Sequence, residues 1–297
     1  MELIDFDGLF DKKLTGYMKK NGGKRTEKEW ENLIPELYRK FGDTFLPKYG
    51  CTPRQYYARM SDDELIETLC GHLKNGVPVP EFLCAETEKR RPTPQILHML
   101  DSGDEETALY AVHFIGADEL AFDKYFDVLQ SGNAGEDVEN EITEELKNAA
   151  DKVKDRAMQT YRLACAAAET AAKNNAIEER EKAEKQAEYM LEILSRVSTR
   201  DDEVYSALIA AFYADESKIP MRASYLAAYG DERALPVLLK RIENREIGFA
   251  EFRELKYAVE ALGGEYNEPR SFEHDDDFIK IENQSQKEGF SEIGNLS

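Results

Sequence analysis

Cys51, Cys70, His72 and Cys84 are the residues of this chain whose types best suit a transition metal. Zinc is held by Cys and His at short spacing, such as cysteines two to four residues apart. The close pair here is Cys70-Gly71-His72 alone. Cys70 also falls on the helical stripe Ile66, Leu69, Leu73, so the spacing predicts a core thiol and no metal site. His98 and His113 sit beside apolar neighbours on helical segments and are expected to be partly buried and hydrogen-bonded, not catalytic. No serine or cysteine occupies a nucleophile motif. Asn21-Gly22-Gly23-Lys24 is too short for a phosphate loop and has no strand before it. Asp275-Asp276-Asp277 offers oxygen ligands, but hard-metal sites draw ligands from a folded frame, so a solvated acidic tail is expected. Lys89-Arg90-Arg91 precedes Pro92 and reads as a basic surface loop. No catalytic, cofactor-binding or metal-binding residue is therefore assigned, and no cofactor is expected.

Aromatic residues carry a different chemistry. The chain has 15 Tyr and 14 Phe, with Tyr56, Tyr57, Tyr205, Tyr213, Tyr225, Tyr229 and Tyr257 in helical stretches. Most should be core, with hydroxyls reaching the surface. Tyr225 and Tyr229 are the candidate interface residues, as outward aromatic anchors.

Charge narrows the partners. Sixty acids against 39 bases give a formal net charge of −21 over 297 residues. Nucleic-acid binding rests on Lys and Arg neutralising phosphates, so it is disfavoured. An anionic membrane surface is disfavoured by the same field, whereas a basic protein partner is compatible with it, and its plainer role is to keep the protein soluble. Met1 to Asp7 has neither the basic nor the apolar region of an export signal, and no stretch nears the roughly 18 apolar residues of a membrane span. Four cysteines are too sparse for a disulfide framework. The expected setting is the cytosol. Oligomeric state has no signature.

Helix punctuation is frequent. Thr26 with Glu29 and Ser61 with Glu64 form capping boxes, and Thr52-Pro53 places a cap before an N1 proline. Pro35 should kink or split its helix. Ser102-Gly103-Asp104 is a turn, with a helix expected over 105–115. Residues 136–145 hold six acids and no base, a composition that suits a helix N-terminus. Apolar positions then recur from Val138 through Ala157 to Leu163, up to Asn174-Asn175, and a second charged helix follows. This reads as a long αα-hairpin.

A pattern of eight residues recurs without gaps: Leu109–Gly116, Ala223–Gly230 and Lys256–Gly263. Each ends on glycine, where a left-handed helix terminus is expected. Gly230 leads into Asp231, which can cap the helix after it. These residues resemble HEAT-like repeats of the short type first described in phycobilin lyases. The match is carried by Arg222, Ala223, Leu226, Gly230, Asp231, Ala234, Leu235, Pro236, Leu238 and Leu239. It spans about residues 200–264, with a weaker echo over 93–131. The resemblance implies an all-α fold, an αα-superhelix of ARM/HEAT-like repeats with a curved surface, and no particular activity. The organisation expected is an N-terminal helical region over 1–77, a helix-pair repeat region over 78–132 and a long charged helical hairpin over 133–198. HEAT-like repeats follow over 199–264, then an acidic, poorly ordered tail over 265–297.

The function expected is a helical-repeat scaffold that binds another protein, with a basic partner neutralised by an inhibitor- or immunity-type chain as one specific form. The alternative is an enzyme whose site is assembled from scattered residues.

Overall fold

In a computed structural model, residues 2–21 and 25–280 are described. The regular structure among them is helical, and the extended backbone pairs only at a single Leu46–Cys51 bridge. None of the described helices is long and apolar enough to cross a membrane. The chain divides into two compact units, residues 1–142 and 143–297.

The first unit contains α1 (Phe6–Asn21), α2 (Glu27–Gly42), α3 (Pro53–Ala58), α4 (Asp62–Lys74), α5 (Glu81–Arg90), α6 (Thr93–Leu97), α7 (Glu105–Ile115) and α8 (Phe122–Ser131). The capping boxes at Thr26 and Ser61 form, and Thr52 makes a third with Gln55. The core is aromatic. Phe6 meets Tyr49, Tyr56 and Tyr57 edge-on at 5.6–5.8 Å, and Tyr38 stacks flat on Phe82 at 4.7 Å.

Three expectations are corrected here. First, Pro35 does not split α2, which continues through it as one helix. The carbonyl deprived of its partner belongs to Glu31, which is exposed, so water can take the place of the missing N–H. Second, Lys89 and Arg90 form the last turn of α5, and only Arg91, at φ 46°, leaves the helix. The Arg90 guanidinium points inward: it donates to the carbonyls of Tyr57, Ala58 and Met60 and to Glu86. It thus satisfies the open end of α3. Third, His98 and His113 are both exposed.

α9 (Glu136–Asn148) buries Val138, Ile142 and Leu146. The apolar stripe does not continue as one helix. The backbone breaks at Ala149 (φ −111°, ψ 18°), and α10 (Ala150–Lys173) starts anew. The hairpin is therefore α10 with α11 (Ile177–Leu194), turned at Asn174-Asn175 with Asn175 left-handed at φ 53°. Buried alanines such as Ala157, Ala164 and Ala183 let the two helices approach closely.

The second unit continues with α12 (Asp202–Ala214), α13 (Ile219–Tyr229), α14 (Leu235–Ile242) and α15 (Phe249–Ala261). α12 packs on α13, α14 packs on α15, and α13 packs on α15. Gly116, Gly230 and Gly263 close α7, α13 and α15 at φ +61°, +71° and +81°. A turn recurs between helices: Asp118, Asp215 and Asp231 each accept a backbone N–H two residues on and open a 3₁₀ turn that feeds the next helix. The sequence behind it is Asp-Glu-x-x followed by Phe122, Ile219 or Leu235.

Residues 265–280 are not a loose tail. Tyr266 is buried, Arg270 donates to the Asn244 carbonyl, and Asp275 accepts the Phe249 N–H at 3.0 Å. The rest of the acidic segment, 281–297, lies outside the described residues.

Candidate functional site

The recurring eight residues decide which aromatics are free to bind. Positions three, four and seven are buried in every copy: Ala111, Val112, Ile115; Tyr225, Leu226, Tyr229; Ala258, Val259, Leu262. Such spacing marks one helix face. Positions two and five lie on the other side, and none is buried: Tyr110 and His113, Ser224 and Ala227, Tyr257 and Glu260.

This register corrects the interface assignment. Tyr225 and Tyr229 occupy positions three and seven and are only 8% and 4% exposed. Burial pushes the Tyr225 phenol well above its ordinary range, with Glu192 and Glu188 adding to the shift. Tyr229 is anchored at both faces of its hydroxyl. It accepts the Asp201 N–H at 2.7 Å and donates to the Asp201 carbonyl at 3.0 Å. Arg200 lies over its ring at 5.6 Å and donates to the Tyr229 carbonyl at 2.7 Å. Both tyrosines are packed inside the second unit.

The outward aromatics are Tyr257 on α15 and Tyr213 at the end of α12, 63% and 61% exposed. Met221 is exposed at the start of α13. Tyr213 leans edge-on against Phe212 at 5.6 Å, which limits its freedom. Around Tyr257, Arg253 pairs with Glu254 and Lys256 with Glu260. The candidate anchors are therefore Tyr213 on α12, Met221 on α13 and Tyr257 among the paired charges of α15. The signal was present in the repeat: aligning the copies places Tyr257 out of register with Tyr225 and Tyr229.

Asp201, Asp215 and Asp231 give this unit fixed negative charge. Their carboxyls lie below the usual range, held there first by Lys154, by Ser217 and by Arg233 respectively.

The chain matches no family model, no curated protein and no solved structure.

The zinc-like set does not converge. Among the described residues no three His, Cys, Asp or Glu side chains are grouped as metal ligands. His72 is fully buried, with Nδ1 2.9 Å from the Pro78 carbonyl. A carbonyl only accepts, so Nδ1 carries the proton. Cys51 is buried, and burial pushes the Cys84 thiol up to about 11. Burial also raises Cys70 and Cys165. These three thiols are protonated at neutral pH and are poor nucleophiles and ligands there. Asp275 is a cap: it accepts the backbone N–H groups of Phe249, Asp277 and Phe278.

Proposed function

We propose that this chain is a HEAT-like helical-repeat scaffold that binds another protein through the outward sides of α12, α13 and α15. One observation carries the reading. Tyr213 and Tyr257 are about three-fifths exposed on a unit that buries Phe212, Tyr225 and Tyr229. Tyrosine is a strong interface anchor because it brings a large, stiff, amphipathic surface.

The formal charge of −21 favours a basic partner. Charge complementarity acts mainly on the rate of encounter, and burial of the anchors acts mainly on the rate of escape. An inhibitor or immunity-type role, in which the chain neutralises a basic protein, is the specific form that this charge favours.

The test is to capture partners from a cell extract of the source with the full chain as bait, then measure association kinetics with the captured protein. The reading expects an association rate that falls steeply between low and physiological salt, where screening shortens to roughly 8 Å. A salt-independent association rate removes the electrostatic half of the proposal. A bait carrying Tyr213→Ala and Tyr257→Ala that captures the same protein equally well removes the other half.

A further inference from the structure

α15 takes its N-terminal cap from a distant part of the chain. Its N-cap residue is Gly248, which has no side chain to offer. The Phe249 N–H instead donates to Asp275, 26 residues later, at 3.0 Å. The other oxygen of that carboxylate accepts the N–H groups of Asp277 and Phe278 at 3.0 and 3.1 Å. The Asp275 carboxyl lies below the usual range, held there first by the Phe249 N–H. A carboxylate so placed also meets the positive end of the helix dipole.

Aromatic rings flank this cap on both sides. Phe249 and Phe252 share one face of α15 and form the receiving pair. Phe272 meets them at 5.3 and 5.1 Å, and Phe278 meets Phe249 at 5.1 Å. Arg270 lies over Phe252 at 5.2 Å and donates to the Asn244 carbonyl. The seat is shallow. All four phenylalanines are half-buried, and Tyr266 is the one buried residue over 265–280. The ion pair Arg245–Glu268 is exposed at both ends. A segment held by so few buried groups opens at lower cost than a core helix.

We infer that the start of α15 is a docking groove for an acidic segment of another protein, one that carries an aromatic residue on each side of its capping carboxylate. Residues 266–278 occupy the groove in cis as an autoinhibitory strap. The partner's carboxylate takes the Phe249 N–H in place of Asp275, and its two rings take the seats of Phe272 and Phe278. The tethered strap competes at an effective concentration on the order of millimolar, so a partner gains the groove only as the strap leaves. This inference does not rest on the outward tyrosines, and its failure leaves that reading intact.

The test uses a fluorescent peptide of residues 270–280 in trans, read by anisotropy at physiological salt, where the repulsion from the net charge is screened. It is titrated with the full wild-type chain and with a full chain released by Phe272→Ala, Asp275→Ala and Phe278→Ala, which leave Phe249 and Phe252 in place. The released chain should bind the peptide at least tenfold more tightly than the wild type. A peptide carrying Asp275→Ala should bind the released chain about tenfold more weakly than the parent peptide, the loss of a charge-assisted cap. Circular dichroism verifies that the released chain folds. Should it not fold, Phe278→Ala alone, which removes one ring contact, gives the same comparison with a smaller gain. The inference is overturned if the peptide binds neither chain or binds both equally. It is also overturned if the Asp275→Ala peptide binds as the parent does.

Discussion

The Tyr229 hydroxyl and the Asp201 backbone exchange two hydrogen bonds, one in each direction, at 2.7 and 3.0 Å. A side chain at the end of α13 thereby supplies what a strand or turn would supply elsewhere: a donor and an acceptor for the backbone of one half-buried residue. It fixes the residue that starts α12 against the helix that follows it. Tyr229→Phe keeps the ring packing and removes both bonds. It should cost about 1–3 kcal/mol, because the Asp201 N–H is left without its partner, while the carbonyl keeps the Tyr205 N–H. Denaturant unfolding measures this, and a change below about 0.5 kcal/mol would deny the anchor its role.

Gly230 follows directly at φ +71°, and an added Cβ would meet nothing closer than 3.8 Å, at Arg200. Space is therefore free, and the cost of a substitution is backbone strain alone. Gly230→Val should destabilise by on the order of 1 kcal/mol or more, since a β-branched residue is strained in the left-handed region. Unchanged melting would show that the helix terminus can adopt another conformation.

Arg90 joins α5 to the end of α3 and the turn after it through the Tyr57, Ala58 and Met60 carbonyls, and is held in place by Glu86 one turn back on α5. Arg90→Ala should cost about 2–4 kcal/mol, because several partly buried acceptors lose their donor at once. Arg90→Lys should recover little, since an ammonium cannot span the same fork. Full recovery by lysine would mean that charge, not geometry, is what the position requires.

Acid should weaken the second unit. Asp201, Asp215 and Asp231 lie below the ordinary carboxylate range in the folded chain. A group depressed in the folded state stabilises it above the unfolded pKa of about 4 and loses that contribution as pH falls through the folded value. Melting temperature should therefore be insensitive to these groups at neutral pH and should fall below about pH 4. Asp231→Asn should flatten that fall. An acid profile identical to wild type would show that the Arg233 contact contributes nothing.

Much of the fold was legible, for local reasons. The turn at Ser102-Gly103-Asp104, the helix over 105–115 and the hairpin turn at Asn174-Asn175 rest on residues whose own conformational preferences mark an end. The break at Ala149 was not legible, because alanine carries no such preference and the apolar stripe crosses it undisturbed. Arg90 was misread because its partners lie about thirty residues earlier in the chain, out of reach of any local pattern. Tyr225 and Tyr229 were misassigned because a tyrosine satisfies a buried and an exposed position equally well by type. Only the register of the three copies separates them from Tyr257.

The central claim is that the outward aromatics, and not the buried ones, hold a partner. The direct measurement is the affinity of the captured partner for the wild-type chain and for the variant carrying Tyr213→Ala and Tyr257→Ala, by calorimetry at physiological salt. Interface anchors of this kind contribute about 2 kcal/mol each, so the double variant should bind at least 100-fold more weakly while melting as the wild type does. An unchanged affinity in a folded double variant would contradict the account.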